Sequence, residues 1–293
     1  MAMSLLHLPA VDGGPILKWA SVDRGHTVEQ ADEAVRKTDG ALAAAFSIGS
    51  ILALRRRRNP MTHLPDMEKS RAVRSMFARI AKRYDRMNRL MSWGQDARWR
   101  REAINLADLP RGARLLDIGT GTGDMAFEAL RGDESLLAVG GDFTVEMMRQ
   151  GQKRVGGERI RWTGTDALNL PFPAETFTVV TSGYLMRNVA DVRRAWSEHY
   201  RVLKPGGQAV CLDLTRPSRS LLRPFVHFYM HRVVPALGGL VAGAREAYRY
   251  LPDSVEDFLS AEELAECMKD AGFQKVAFRR LMLDTMALHW ARK

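Results

Sequence analysis

The segment at residues 115–124, LLDIGTGTGD, constrains the fold of this chain more than any other. An apolar run ends at Ile118, glycines then alternate with threonines, and a helical pattern begins at Met125. Glycine adopts positive φ and lets the backbone approach a ligand that a Cβ atom would exclude. A strand, a glycine-rich turn and a helix N-terminus in this order are typical of nucleotide-type sites in open α/β sheets. The alternative is a tight strand–helix turn that holds no ligand.

The acidic residue after the third glycine indicates which ligand the turn binds. The spacing is G-x-G-x-G-D, whereas dinucleotide sites have G-x-G-x-x-G. A carboxylate at Asp124 would repel a pyrophosphate, but it would suit a ligand that joins an adenosine to a cationic group. The sequence therefore predicts S-adenosylmethionine as the cofactor.

Strand-like and helical patterns alternate along the chain, which predicts an α/β fold with a mostly parallel sheet and helices on both faces. The predicted strands lie at residues 113–118, 136–142, 159–163, 177–182, 208–214, 274–282 and 285–291. The predicted helices lie at residues 69–91, 97–106, 123–131, 144–154, 190–203 and 261–271. An apolar segment at 220–243 interrupts the alternation.

Ligands in such sheets bind beyond the carboxyl ends of the strands, so the residues there form the candidate site. The first strand leads to Gly119 and Gly121 of the glycine loop. Asp142 ends the second strand, where an acidic side chain binds ribose hydroxyls; an N-cap is the alternative. Asp166 follows the third strand and is predicted to reach the adenine amino group, while Ala167 supplies a backbone N–H. An Asx-turn is the alternative role for Asp166.

The fourth strand ends near Gly183 and leads to Arg187, beside the predicted methyl donor. A guanidinium at this position is suited to bind a developing oxyanion. A surface arginine that caps the next helix is the alternative.

The composition limits the partners and the compartment. The 293-residue chain has a net charge of +10 and a pI of about 9.9, which fits acidic partners such as nucleic acid or an anionic membrane surface. No basic motif is interleaved with aromatic residues, so we expect no nucleic acid. Cys211 and Cys267 are predicted to be buried free thiols of a cytoplasmic protein. His227 and His231 are four residues apart, which alone does not predict a metal site.

Residues 1–60 differ from the rest and are predicted to be a flexible or dispensable extension before a domain at 61–293. Their apolar run at 41–54 is too short to span a bilayer, and four arginines follow it at 55–58. The first alternative is an interfacial anchor that binds anionic lipid, which would place the protein at the inner face of the membrane. The second is a true start at Met61.

Several motifs between residue 69 and the end of the chain resemble, in order, the ubiquinone/menaquinone C-methyltransferase family of class I S-adenosylmethionine methyltransferases. The glycine loop and the KPGG turn at 204–207 fix only the superfamily. The segments YDRMN at 84–88, RNV at 187–189 and YRYL at 248–251 are more specific.

The resemblance implies a Rossmann-like fold with a seven-stranded sheet and donor contacts at Thr122, Asp142, Asp166 and Ala167. It also implies methyl transfer to a ring carbon of a prenylated quinol. The reaction would convert demethylmenaquinol to menaquinol, or be its ubiquinone-pathway equivalent.

Two departures from the family pattern concern the substrate. Where the family has a His-Arg pair, this chain has Asp96 and Ala97. Where the family has a donor-contacting serine this chain has Gly183, and where the family has a flexible glycine it has Leu185. One alternative function is therefore methylation of another small phenolic or lipid acceptor. An alternative of a different class is donor binding without catalysis, or nucleic-acid binding.

For the implied reaction, Arg187 is expected to stabilise the quinolate oxygen, because a guanidinium stays protonated and cannot act as a base. Tyr84, or a water held by Asp85 or Asn188, is expected to relay the proton. The apolar segment at 221–243 is predicted to form a slot for the prenyl tail. Ordinary core packing of this segment is the alternative.

Overall fold

The computed structural model describes residues 66–217, 223–242 and 245–293. The extension predicted at residues 1–60 lies outside these ranges, so its flexible or dispensable character stays a prediction.

A seven-stranded sheet forms the centre of the fold. Its strands are β1 Arg114–Ile118, β2 Leu137–Asp142, β3 Ile160–Gly164, β4 Phe177–Gly183, β5 Leu203–Leu214, β6 Gln274–Leu281 and β7 Met286–Arg292. Their order across the sheet is β3-β2-β1-β4-β5-β7-β6. The first five strands pair in parallel, whereas β7 runs antiparallel between β5 and β6. This confirms the predicted Rossmann-like, mostly parallel sheet.

Helices precede, connect and follow the strands. They are α1 Asp66–Ile80, α2 Tyr84–Met91, α3 Gln95–Leu106, α4 Asp124–Leu130, α5 Val145–Gln152, α6 Val192–Val202, α7 Arg223–Phe228, α8 Val234–Ala242, α9 Arg245–Glu256 and α10 Ala261–Asp270.

Two apolar cores lie on opposite faces of the sheet. Leu115 and Leu116 are neighbours in β1 and both are fully buried, yet each belongs to a different core. Successive side chains of a strand point to opposite faces, and α3 and α4 pack on one face while α6 and α10 pack on the other. Trp196 fills the second core beside Cys211 and Cys267, which are buried and unpaired as predicted.

The single helix predicted at 69–91 is wrong, because a turn at residues 81–83 divides it into α1 and α2. The Arg83 N–H donates to the Ile80 carbonyl at 2.8 Å and closes this turn. Ile80 and Met87 are buried on either side of it. The apolar spacing therefore continues across the turn, and the periodicity of the sequence does not reveal the change in direction.

The apolar segment that interrupts the alternation is helical where the structure describes it. It contains α7, a π-helical turn at Tyr229–Val233 and α8. Helix α9 is not among the predicted helices, and Pro252 inside it disguises its helical pattern. Within the described ranges no helix, α8 included, is both long and apolar enough to cross a membrane.

Strand β5 begins at Leu203 rather than at residue 208, and the predicted helix at 190–203 ends one residue earlier than expected. Leu203 pairs with Phe177 of β4 before the register shifts, so the KPGG turn lies inside an irregular strand. Propensity favours a turn at these residues, and residues 204–207 do stay outside the pairing with β4, with Gly206 at a φ of 75°.

Candidate active site

The carboxyl ends of β1, β2 and β4 lie side by side and bring the predicted ligand-binding residues together. A cavity of about 460 Å³ opens at this edge of the sheet, within the range of roughly 300–1,000 Å³ that small-molecule sites occupy. We call it the glycine-loop cavity. Six of the predicted cofactor-binding residues line it: Gly119, Gly121, Asp142, Asp166, Ala167 and Gly183.

The glycine loop adopts a backbone that only glycine accommodates easily. The φ angles are 67° at Gly119, 56° at Gly121 and 89° at Gly123. A Cβ on Gly119 would lie 2.9 Å from Leu185 Cδ1, and a Cβ on Gly123 would lie 2.6 Å from the Trp162 ring. The loop therefore needs glycine both for its backbone conformation and for the close approach of these side chains.

Backbone donors hold the two carboxylates of the glycine-loop cavity in place. The N–H of Gly121 donates to Asp142 Oδ2 at 2.8 Å, and the N–H of Thr144 donates to Oδ1 at 2.6 Å. Burial raises the pKa of the Asp142 carboxyl, and these hydrogen bonds oppose the shift. Each carboxylate oxygen has a second lone pair, so Asp142 can also accept from ligand hydroxyls. Asp166 accepts from the N–H of Leu168 at 2.9 Å, so its Asx-turn and its place at the cavity coexist.

Thr122 does not line the glycine-loop cavity. Its hydroxyl donates to Asp85 Oδ1 at 2.7 Å. Burial raises the pKa of Asp85, the nearby Asp124 adds to this rise, and the Thr122 hydrogen bond opposes it. In the structure these two side chains fasten α2 to the glycine loop.

The carboxylate of Asp124 is neutralised inside the protein. Its Oδ1 lies 2.6 Å from Arg154 Nη1, and its Oδ2 lies 3.2 Å from Arg100 Nη1. Burial acts to raise its pKa, but the two guanidiniums outweigh burial and hold the pKa below its ordinary value. Asp124 is not among the residues that line the cavity, so its carboxylate does not select a cationic ligand as the sequence predicted.

A second cavity, of about 70 Å³, adjoins the first, and Phe77, Tyr84 and Tyr184 line both. We call it the aromatic cavity. Segments α1, α2, α8, α9 and the π-helical turn contribute to its walls. Most of its other lining residues are apolar, among them Met91, Trp99, Leu214, Tyr229, Met230, Val234 and Met286.

Arg187 lines the aromatic cavity and is anchored by a buried carboxylate. Its Nη1 lies 2.7 Å from Asp213 Oδ1 at the end of β5, and the two side chains are 5% and 0% exposed. Burial acts to lower the pKa of Arg187, but the charge of Asp213 outweighs it and raises the pKa above its ordinary value. The guanidinium is therefore permanently charged and is a hydrogen-bond donor, not a base.

Tyr184 adopts a left-handed backbone, with φ of 60°, at a cost on the order of 1–3 kcal/mol for a non-glycine residue. Its N–H donates to the Leu212 carbonyl at 2.8 Å. Its carbonyl accepts from Arg187 Nη1 at 3.0 Å and from Asn188 Nδ2 at 2.9 Å. The guanidiniums of Arg100 and Arg187 lie 5.6 and 5.7 Å from its ring centre. These contacts hold the ring between the two cavities.

The structure brings the three predicted catalytic residues, Arg187, Asn188 and Tyr84, together around Tyr184. The Asn188 amide, which lines the glycine-loop cavity, also accepts from Tyr250 Oη at 3.3 Å. Burial raises the pKa of the Tyr84 phenol, and the charge of Arg187 opposes this shift. Tyr84 is therefore a neutral phenol near neutral pH.

Tyr184, Asn88 and Tyr248 also line the aromatic cavity. The sequence places Tyr184 directly after the fourth strand, over the predicted methyl donor, but it assigns no role to Asn88 or Tyr248 beyond their motifs. Arg187 Nε and Tyr248 Oη are buried and have no hydrogen-bond partner among the described residues, whereas the Asn88 side chain acts on the Tyr84 phenol and lowers its pKa. A buried polar group without a partner is costly in a folded protein. The YDRMN and YRYL motifs contain Asn88 and Tyr248, but the sequence offers no sign that these two residues line one cavity.

Comparison with known proteins agrees with this architecture. A ubiquinone/menaquinone biosynthesis C-methyltransferase of Desulfotalea psychrophila is 44% identical over 227 residues, which are 78% of this chain and 92% of that relative. A demethylmenaquinone methyltransferase of Thermus thermophilus is 42% identical over 216 residues, which are 73% of this chain and 98% of that relative.

Among solved structures, an S-adenosylmethionine-dependent methyltransferase of Thermotoga maritima, described as a possible histamine N-methyltransferase, shares the fold. The TM-score is 0.55 at 21% identity, and the match covers 75% of this chain and 99% of that one. Residues 65–293 match the family described as the ubiE/COQ5 methyltransferase family. The chain therefore belongs to the ubiE/COQ5 methyltransferase family.

Proposed function

We propose that the protein uses S-adenosylmethionine to methylate a ring carbon of a prenylated quinol. The product would be menaquinol from demethylmenaquinol, or the ubiquinone-pathway equivalent. One observation carries this proposal: a carboxylate-bearing cavity at the glycine loop shares Phe77, Tyr84 and Tyr184 with a largely apolar cavity that Arg187 also lines.

The residues of the glycine-loop cavity fit the donor. Asp142 is fixed by two backbone N–H groups and would present carboxylate lone pairs to the ribose hydroxyls. Asp166 and Ala167 line the same cavity from the loop after β3, where they would contact the adenine. When bound there, S-adenosylmethionine supplies an electrophilic methyl group. The protein contributes mainly by holding donor and acceptor in line, which accounts for a large part of such rate enhancements.

The polar residues of the aromatic cavity are suited to an oxygen-substituted ring. At about 70 Å³ the cavity must widen to admit a quinol, since a cavity of about 150 Å³ holds benzene. Such a movement would also expose Arg187 Nε and Tyr248 Oη, which are buried without a partner among the described residues, to the two oxygens of a quinol. The fixed charge of Arg187 favours the quinolate over the quinol, and the quinolate makes the neighbouring ring carbon nucleophilic. Arg187 therefore acts by stabilising negative charge that develops on the acceptor.

Of the proton relays expected from the sequence, we propose the one through Tyr84 and not through a water held by Asp85 or Asn188. Asp85 is committed to Thr122, and both ends of the Asn188 amide are hydrogen-bonded within the protein. Tyr84 lines both cavities. Because its phenol is neutral, it would accept the proton of the quinol only while it releases its own proton to water.

The test is methyl transfer from labelled donor to a panel of demethylated quinols with and without prenyl tails, in detergent. We expect transfer to a prenylated naphthoquinol or benzoquinol, and little transfer to the ring alone. Transfer only to short phenols would favour the alternative acceptor class. Donor binding without transfer to any acceptor of the panel would favour a non-catalytic role.

We also propose that the protein docks on a membrane surface to reach this acceptor. Five apolar side chains are exposed on α2, the turn after it, α7 and α8, and we call them the apolar patch: Leu90, Trp93, Phe225, Phe228 and Leu240. Helices α2 and α8 also contribute to the wall of the aromatic cavity. Tyr229 Oη donates to the Met91 carbonyl at 2.9 Å, which joins α2 to the π-helical turn between α7 and α8. Exposed Arg86, Arg89 and Arg232 lie on the same segments and complement anionic lipid.

Sedimentation with vesicles tests this docking. Wild-type protein should bind vesicles that contain phosphatidylglycerol more strongly than vesicles of phosphatidylcholine alone, and Trp93→Ser should weaken binding. Val155 is fully exposed but outside the patch, so Val155→Ser is the matched control. Equal binding by the two variants would contradict docking through this patch.

A further inference from the structure

Three potential metal ligands, His227, His231 and Glu256, converge outside the two cavities. One ligand atom from each residue lies within 4.8 Å of the other two. The two histidines belong to α7 and the π-helical turn, and Glu256 is the last residue of α9. The cluster therefore joins two segments that are separate in the sequence.

The distances in the cluster are close to those of a coordination shell. Glu256 Oε1 lies 2.6 Å from His231 Nε2 and 3.6 Å from His227 Nε2. The two imidazole rings are 4.2 Å apart and tilted by 40°. Ligands on a tetrahedral ion with bonds of about 2.0–2.1 Å lie roughly 3.3 Å from each other. Small side-chain rotations therefore suffice to place all three atoms around one ion.

The burial of the three side chains suits a site that takes up an ion from solvent. The His231 side chain is only 4% exposed, whereas those of His227 and Glu256 are 56% and 47% exposed. One ligand is thus fixed by packing, and the other two reach the surface. A metal site needs such an access route as well as its ligands.

We propose that His227, His231 and Glu256 bind a divalent first-row transition metal ion, with Zn²⁺ as the ion that fits best. Two imidazoles and one carboxylate are a common zinc ligand set, and the remaining coordination position takes water. The ion would tie α7 and the π-helical turn to α9. These segments supply Tyr229, Met230 and Tyr248 to the aromatic cavity, so the ion would make one wall of that cavity more rigid.

There is a physical reason why the sequence alone does not indicate this site. Residues four apart share one face of a helix, so His227 and His231 form a pair by local geometry alone. The third ligand follows 25 positions after His231 and arrives only through the packing of α9 against the π-helical turn.

Direct measurement of Zn²⁺ binding to tag-free, full-length protein tests the proposal. The protein is stripped with a chelator and titrated with Zn²⁺ in competition with a chromophoric chelator. We expect one ion per chain, and a Kd that rises at least about tenfold in both His227→Gln and Glu256→Gln, because loss of even an outer partner of a metal ligand has effects of 10- to 100-fold. Both residues are half-exposed, so these variants should fold.

Two controls separate the site from incidental binding. Glu266→Gln alters an exposed carboxylate that pairs with Lys269 in α10, and it should leave the Zn²⁺ affinity unchanged. The double variant His227→Gln/Glu256→Gln measures the background from His7, His26 and His63. Co²⁺ should give the visible absorption of a four-coordinate site in the wild type and not in the double variant. Equal Zn²⁺ affinity and equal Co²⁺ spectra in wild type and double variant would overturn the proposal.

Discussion

The guanidinium of Arg187 and the carboxylate of Asp213 form a buried ion pair 2.7 Å apart at the wall of the aromatic cavity. A charge held in this way cannot move away from the acceptor or lose its proton. Arg187 Nε is buried and has no hydrogen-bond partner among the described residues, so a ligand oxygen can reach this donor only if the cavity wall moves.

Substitution of Arg187 should affect turnover and stability separately. Arg187→Ala should lower kcat about 10²- to 10³-fold, the scale for loss of one preorganised donor, with donor affinity nearly intact. It should also destabilise the fold by about 3–5 kcal/mol, because Asp213 is left as a buried charge without a partner. Single-turnover kinetics and urea unfolding measure the two effects.

The double variant Arg187→Met/Asp213→Leu is the matched control for the loss of stability. It removes both charges, so it should recover most of the stability while turnover stays low. Arg187→Lys keeps the charge but loses the planar fork, and it should remain impaired. Recovery of turnover in the double variant would show that Arg187 has only a structural role.

Substitution of Asp142 should weaken donor binding. Asp142→Ala removes a charged acceptor and leaves the N–H groups of Gly121 and Thr144 without their partner, at a cost on the order of 1–3 kcal/mol. Calorimetry should show a Kd for S-adenosylmethionine that rises about 5- to 150-fold. Asp133 accepts two backbone N–H groups in the same way in the loop before β2, so Asp133→Ala is a control that should leave this Kd unchanged.

Restoration of serine at position 183 should be tolerated, whereas substitution of Gly119 should not. A Cβ on Gly183 would meet only Met125 Cγ at 3.5 Å, an ordinary contact. Gly183→Ser should therefore keep its Tm and bind donor about two- to tenfold more tightly, the effect of one added hydrogen bond. Gly119→Ser combines a positive φ with a clash against Leu185 and should lose donor binding. Thermal unfolding and calorimetry on both variants make the comparison.

The stability of the protein should depend on pH through Asp117. This carboxyl is buried and accepts from Thr120 Oγ1 at 2.7 Å and from Thr181 Oγ1 at 2.9 Å. Burial raises its pKa to about 7, although both hydrogen bonds oppose the shift. The folded state thus disfavours the ionised form. Its contribution to stability is complete below about pH 4 and is lost as pH rises to about 7.

The variant Asp117→Asn isolates this effect, because an amide can hydrogen-bond to both threonines without titrating. Urea unfolding at pH 5 and pH 8 should show that the wild type loses more stability than the variant between these values. The same loss in both proteins would mean that other groups cause the pH dependence.

Removal of the N-terminal extension should leave catalysis intact. The described residues that line the two cavities all fall between Ser70 and Met286, and the family match begins at residue 65. A chain that begins at Met61 should keep its turnover on detergent-solubilised quinol. A chain that begins at residue 81 loses α1 and Phe77, and its turnover should fall. Loss of activity in the longer chain would assign residues 1–60 to the domain.

The sequence predicts those parts of the fold and site that depend on local patterns. The glycine loop, the strand ends and the acidic residue Asp142 follow from positions along one chain segment, and the structure places them at one cavity. The turn before Tyr84 is not predictable in this way, since the apolar spacing runs through it. The left-handed backbone of Tyr184 depends on Arg187, Asn188 and Leu212, which meet only after folding.

Local sequence patterns also do not reveal which distant side chains neutralise a buried charge. Asp124 appears in the sequence as an acid beside a ligand loop, but Arg100 and Arg154 reach it from α3 and from the end of α5. Thr122 likewise finds Asp85 on α2. In both cases a distant side chain takes the hydrogen-bonding capacity that the motif alone would assign to the ligand.

The wall of Phe77, Tyr84 and Tyr184 between the two cavities restricts how substrate preference can change by mutation. A substitution in any of these three side chains alters the lining of both cavities at once, so under the proposed function its effects on donor and acceptor affinity would be coupled and non-additive. Residues that line only the aromatic cavity, such as Met230 and Val234, are free of this coupling. Divergence toward a new acceptor can therefore proceed through the α7–α8 segment while the donor site stays constant.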